Sequence, residues 1–209
     1  MSQKLNPQQL KAVRHTEGPL MIVAGAGSGK TRVITSRIVY LVQEKKVSPE
    51  NILAITFTNK AAGEMLERVR SMLGSPPVSL WISTFHSFCL RVLRRHIGEL
   101  GYPSDFVIYD KKDQLALVKQ CMKSLSINED AFPPKAILNH IGVFKNELAR
   151  PQDIDMSSLP YGRKLKAAEV YASYQKALKE SRALDFDDLL NMAVRLFREV
   201  EPVAALYNE

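Results

Sequence analysis

The chain has 209 residues, with 29 Lys and Arg against 22 Asp and Glu and a formal net charge of +7. Hydrophobic residues make up 45% and charged residues 24%, a composition able to bury a core and unlike that of a disordered chain. No apolar run is long enough for a bilayer-spanning helix, and two cysteines, Cys89 and Cys121, exclude a disulfide scaffold or a cysteine-rich zinc site.

Residues 1–7 carry no apolar h-region, so a cytoplasmic location is expected. The charge is uneven. Residues 1–88 hold eleven Lys and Arg against five Asp and Glu, whereas residues 89–209 hold eighteen against seventeen. The excess in the first part suits a polyanionic partner such as nucleotide or nucleic acid, although a solvated basic surface would look the same.

In chain order, Asn6 followed by Pro7 predicts a helix start, an N-cap side chain ahead of Pro at the first helical position, with the helix running through Val13. Residues 20–24, Leu-Met-Ile-Val-Ala, are an unbroken apolar run and predict a strand buried on both faces. A glycine-rich loop follows. Residues 30–43 predict a helix with Val33, Ile34, Ile38 and Leu41 on its apolar face. A second strand is expected over 51–56, then a helix from Lys60 to about Leu73 capped by Asn59 and broken by residues 74–77. A third strand is expected over 79–83, and a helix opens near Phe85. Alternating strands and helices with short connections imply a parallel sheet with right-handed crossovers. Beyond residue 89 the pattern is mostly helical, with helices expected over 87–97, 111–125, 134–148, 163–182 and 185–200, punctuated by Gly101-Tyr102-Pro103 and Phe132-Pro133-Pro134. The fold class expected is therefore α/β: a small parallel-sheet unit over 1–88, then a helical unit over 89–209.

Ala24, Gly25, Ala26, Gly27, Ser28, Gly29, Lys30 and Thr31 lie between the first expected strand and its helix. They fit the phosphate-loop pattern Gly-x4-Gly-Lys-Ser/Thr, with Ala24 at the first glycine position. The glycines let backbone N–H groups curl around phosphates, and those donors add to the positive end of the helix dipole. Lys30 can reach the β- and γ-phosphates, and the Thr31 hydroxyl can ligate Mg2+. Such a loop needs an acidic residue at the end of another strand. Asp110, after residues 106–109, and the cluster of Asp185, Asp187 and Asp188 are the lookalikes. Asp110 reads better as a helix cap, and the cluster as favourable charge at the start of a helix.

The flanking segments narrow the choice. Leu5-Asn6-Pro7-Gln8-Gln9 resembles the Q motif of UvrD/Rep/PcrA-type superfamily 1 DNA helicases, and residues 24–31 followed by Arg32 resemble their motif I. Thr56-Phe57-Thr58-Asn59-Lys60-Ala61-Ala62 is similar to motif Ia, and Ser83-Thr84-Phe85-His86-Ser87-Phe88 to motif Ib. Residues 184–190 resemble a segment of the helical insertion. The matches run in family order over nearly the whole chain, nearest to the PcrA-like branch.

The resemblance implies a partial RecA-like phosphate-loop sheet followed by an inserted helical subdomain. It also implies a parent enzyme that uses ATP and Mg2+ to move 3′ to 5′ on single-stranded DNA and unwind duplex junctions, in repair or replication. Gln9 would read the adenine edge, Arg32 would lie near the nucleotide, and Lys30 and Thr31 keep the roles derived above. Phe57 would stack on a base, while Thr58, Asn59, Lys60, Thr84, Phe85 and His86 would contact the strand, as sequence-independent single-strand binding requires. Each has a plainer reading: Phe57 and Phe85 as core, Asn59 as an N-cap, His86 as a structural histidine, Lys60 as surface charge. The family's Asp-Glu-x-Gln-Asp segment and its arginine fingers are not found by Glu209, and residues 204–209 end without a cap signal. The expectation is an N-terminal part of a longer helicase that binds ATP without hydrolysing it. The alternatives are a non-catalytic binding module and an unrelated phosphate-loop kinase.

Overall fold

The computed structural model describes residues 5–74 and 79–208. The chain divides into two compact units, Met1–Phe88 and Cys89–Glu209. Both mix helices with short parallel strands.

In the first unit, α1 (Pro7–Arg14) begins as expected at Asn6, whose side chain accepts from the Gln9 amide while the Gln9 side chain accepts from the Asn6 N–H. This reciprocal pair satisfies two helix-end donors at once. α2 (Lys30–Gln43) packs beside α1, with Arg37 donating to the Ala12 carbonyl at 2.9 Å. β1 (Leu53–Thr56) and β2 (Trp81–Thr84) pair in parallel, Leu53 opposite Trp81 and Thr56 opposite Thr84. Between them, α3 (Asn59–Leu73) crosses back and ends at Gly74, whose φ of 74° is the left-handed cap that glycine takes most readily. The rest of the expected break, residues 75–77, lies outside the described residues. Ile38, Val39, Ile52, Met65, Val69 and Leu80 form the core of this unit.

Three expectations for this unit are corrected. Residues 20–24 form no strand, and Met21 and Val23 are 85% and 86% exposed. A strand buried on both faces needs ladder partners and helices over it, and among the described residues β1 and β2 pair only with each other. Ile34 is exposed too, while Thr35 takes its place in the buried stripe of α2. The cap of α3 is Thr58, not Asn59: the Thr58 hydroxyl accepts from the Ala61 N–H at 3.1 Å, and Asn59 is the first helical residue.

α4 (Phe85–His96) leads from β2 into the second unit. There α5 (Lys111–Ser124), α6 (Pro134–Asn146), α7 (Arg163–Glu180), α8 (Phe186–Glu199) and α9 (Glu201–Asn208) follow. The helices expected from 111, 134, 163 and 185 are present, all four ending one to two residues early and the last starting at Phe186. β3 (Val107–Tyr109) pairs in parallel with β4 (Ala183–Asp185), a strand absent from the sequence reading. Ile137, Ile141 and Phe144 of α6 pack with Val170, Tyr171, Tyr174 and Leu178 of α7. Tyr171 stacks on Phe144 with ring centroids 6.1 Å apart.

Candidate functional site

The loop before α2 is shaped for an anion. Gly27 and Gly29 have φ of 72° and 87°, in the left-handed region, and Gly29 precedes α2 with no side-chain cap. The first backbone donors of α2 therefore have no side chain closing them off, and a helix start of this kind attracts phosphate. The loop folds on itself: the Ser28 hydroxyl donates to the Gly25 carbonyl at 2.7 Å. The Lys30 ammonium donates to the carbonyls of Ala24 and Gly25, both at 2.7 Å. A phosphate entering the loop would give this ammonium charged oxygens in place of neutral carbonyls, and charge-assisted hydrogen bonds are about twice as strong. Ala26 and Thr31 are exposed, Thr31 on the first turn of α2.

Gln9 and Arg32, 23 residues apart, meet over this loop. The Gln9 amide nitrogen donates to the Ser28 carbonyl at 3.0 Å, and the Arg32 guanidinium donates to the Gln9 amide oxygen at 3.1 Å. Gly29 permits the approach, since a Cβ there would stand 3.1 Å from the Gln9 nitrogen. The capping box of α1 thus places a polar amide directly against the glycine-rich loop.

A second group gathers at the carboxyl ends of β1 and β2, where ligands of parallel sheets bind. The register sets Thr56 opposite Thr84, so the next residue of each strand, Phe57 and Phe85, emerges side by side. Their ring centroids are 6.4 Å apart. Phe57 is 92% exposed and Phe85 is 49% exposed, so neither is a core residue. Thr58, Asn59 and Lys60 are exposed beside Phe57, and His86 is half-buried. Thr84 differs from the rest: it is buried, and its hydroxyl accepts from the Ser87 N–H at 3.2 Å and pairs with the Ser87 hydroxyl at 2.8 Å. It shapes the turn that carries Phe85 and His86.

The acidic lookalikes have other work. The Asp110 carboxylate accepts from the amides of Lys112 and Asp113, which hold it below the usual carboxylate range, and it caps α5. Asp185 caps α8, as expected of the cluster, but it also ends β4, which the sequence did not reveal. Asp185 and Asp188 are buried around Lys145, whose ammonium lies 2.6 Å from Asp185 and 2.8 Å from Asp188. The Tyr174 hydroxyl donates to Asp185 at 2.9 Å, and the Gln175 amide to Asp188 at 3.2 Å. Burial pushes the Asp188 carboxyl up to about 6. Burial acts the same way on Asp185, but the Lys145 charge and hydrogen bond bring it below its ordinary value. Sequence reasoning missed Lys145, because a lysine between apolar helix positions carries no mark of a partner 40 residues away. Among the described residues no three His, Cys, Asp or Glu side chains group as a metal set.

Residues 5–209 match the family model described as "UvrD/REP helicase N-terminal domain". The chain is 49% identical over 203 residues to the ATP-dependent DNA helicase PcrA of Bacillus subtilis, covering 97% of this chain and 27% of that protein. It is 47% identical to the PcrA helicases of Staphylococcus aureus and Staphylococcus epidermidis, again over 97% of this chain and 28% of each relative. The chain therefore spans little more than a quarter of the length of these relatives.

Proposed function

The chain belongs to the UvrD/REP helicase N-terminal domain family, and from that premise we propose that it is the ATP-binding and strand-gripping portion of an ATP-dependent DNA helicase. One observation carries this reading most strongly. In a chain 49% identical to a PcrA helicase, an uncapped helix start and Lys30 meet a glutamine docked on the same loop.

In this reading residues 1–88 are the first part of a RecA-like nucleotide-binding subdomain, and residues 89–209 are its helical insertion. The backbone amides of residues 25–31 cradle the triphosphate, Lys30 meets the β- and γ-phosphates, and Gln9 with Arg32 receives the base. Thr31 would hold Mg2+, which would supply positive charge against the phosphate groups. Phe57 and Phe85 form a stacking platform for single-stranded DNA, flanked by Thr58, Asn59, Lys60 and His86, with Thr84 setting the turn. ATP binding and release would alter the chain's grip on the strand only as far as nucleotide favours one conformation over another. Movement 3′ to 5′, action at duplex junctions, a role in repair or replication and a cytoplasmic location follow from the family resemblance.

The chain by itself is proposed to bind ATP and DNA without turnover. Asp110 is spent on a cap and Asp185 and Asp188 on Lys145, so the Mg2+-holding carboxylates and the arginines that meet transition-state charge are assigned to sequence outside these 209 residues. The test is ATP binding and hydrolysis by the chain, with and without single-stranded DNA. Nucleotide binding that is lost in Lys30→Ala, with no turnover in a folded sample, is the expected result. DNA-stimulated turnover would show that the catalytic carboxylate lies inside the chain. Failure of the wild-type chain to bind any nucleotide would remove the site assignment.

A further inference from the structure

A cleft of about 850 Å3 opens in the second unit, lined by the loop that follows α6, by α7 and α8, and by Tyr102. Its size suits a small organic molecule. Three features define what would fit. The first is an unpaired acceptor. The Gln175 amide nitrogen donates to Asp188 Oδ1 at 3.2 Å, an oxygen that also accepts from Lys145 at 2.8 Å. Because Asp188 accepts there, the donor end of the amide must face it. The other end, Gln175 Oε1, is buried and has no hydrogen-bond partner among the described residues. A buried acceptor left unmade is costly, and it marks a place for a ligand N–H.

The second feature is charge. Five Lys or Arg line the cleft against three Asp or Glu. Each acid already serves a cation: Asp153 takes two hydrogen bonds from Arg150, Glu199 accepts from Arg195 at 2.9 Å, and Asp188 holds Lys145. Lys176 lies 3.8 Å from Glu180 on open surface, where pairing is weak. Lys179 and Arg198, both exposed, add positive charge beyond these pairs. The third feature is an apolar lining. Tyr102 and Tyr171 contribute rings, and Leu148 remains 41% exposed at a φ of 57°, a left-handed backbone that a branched side chain seldom takes.

We propose that this cleft is a binding site for an aromatic organic anion that carries an N–H donor. The donor would meet Gln175 Oε1, the anionic group would lie against Lys179 and Arg198, and the ring body would rest on Tyr102, Tyr171 and Leu148. An organic cation would face the surplus of Lys and Arg, and a purely apolar molecule would leave Gln175 Oε1 unpaired. The site shares no lining residue with the phosphate loop and does not depend on the reading of that loop.

The probe is toluidinonaphthalene sulfonate, an aromatic anion with one N–H whose fluorescence rises when it leaves water. It should bind the folded 209-residue chain saturably at one site, and excess ATP should not displace it. Ala172 lines the cleft and is exposed, so Ala172→Trp should fill the cleft and abolish binding while thermal melts stay unchanged. Lys179→Glu should weaken binding about tenfold, as for loss of a charge-assisted hydrogen bond. The N-methylated probe, which has no donor, should also bind about tenfold more weakly. Absence of saturable binding, or binding untouched by both Ala172→Trp and Lys179→Glu, would overturn the site. Displacement by ATP would move the probe to the phosphate loop and overturn it equally. Equal affinity for the two probes would overturn the donor contact at Gln175, and with it the ligand class. Displacement by a single-stranded oligonucleotide, lost in Lys179→Glu, would make the cleft a nucleic-acid surface instead.

Discussion

Lys145 and Asp185 form an ion pair at 2.6 Å with both side chains sealed from solvent. Lys145 is 1% exposed. It sits on α6 while Asp185 ends β4 and caps α8, so one contact joins three elements of the second unit. Replacing such a pair by apolar residues can be neutral, but removing one partner leaves a buried uncompensated charge. Lys145→Met is expected to destabilise this unit by about 3–5 kcal/mol. Urea melts would show it, and a cost below about 1 kcal/mol would mean the pair is dispensable.

The same network predicts a pH dependence. A carboxyl whose pKa is higher folded than unfolded holds its proton preferentially in the folded state. The contribution of Asp188 is therefore full below its ordinary value of 3.8 and is lost as pH rises toward about 6. Asp185 is shifted down, so its contribution is present above its ordinary value and fades as pH falls below it. The stability difference between wild type and Asp188→Asn should shrink as pH rises from 4 to 6 and stay level above. Parallel melts at pH 4.5, 6 and 7.5 test this, and a difference growing with pH would reverse the assignment.

Phe57 and Phe85 are expected to matter for DNA and little for stability. Alanine at either position should weaken single-stranded DNA binding by about 1–3 kcal/mol, the usual worth of a base-stacking aromatic. At the 92% exposed Phe57 the change in folding stability should stay within about 0.5 kcal/mol. Anisotropy with a labelled oligonucleotide, read beside thermal melts, separates the two. Tight DNA binding by the doubly substituted chain would return both rings to a structural role.

Thr58 and Asn59 should differ in what they serve. Thr58 caps α3, so Thr58→Ala should cost about 1 kcal/mol of stability. Asn59 is helical and exposed, so Asn59→Ala should leave stability nearly unchanged and lower DNA affinity. Equal stability losses would show that both residues serve the cap.

Gly29→Ala tests the seat of Gln9. A φ of 87° costs a residue with a Cβ about 1–2 kcal/mol, and the added carbon would stand 3.1 Å from the Gln9 amide nitrogen. The variant should be less stable and should bind ATP more weakly than wild type. Unchanged nucleotide affinity, measured by competition in a folded sample, would show that Gln9 does not need this seat.

Much was legible in the residues because its causes are local. Asn6-Pro7 announced α1 since a cap and a fixed φ act within one turn. Lys30 to Gln43 showed its helix through spacing, and Asp110 showed itself as a cap through its place before α5. The failures share a different cause. Residues 20–24 have the composition of a buried strand, yet strand pairing depends on what lies alongside. Thr58 and Asn59 are both good caps, and the choice turned on where the helix takes its first turn. Ala183, Leu184 and Asp185 are too few to announce a strand, and β4 exists because β3 lies against it.

The glycine-rich loop, the helix after it and the order of the segments could be read from the residues alone, because glycine spacing, caps and helical periodicity act through neighbours a few residues apart. The tertiary structure alone decided that Gln9 and Arg32 share one hydrogen bond, that Phe57 stands beside Phe85, and that Asp185 and Asp188 are spent on Lys145. Those pairings depend on strand register and on helices meeting across tens of residues. Only in the folded chain does burial make a charge choose its partner.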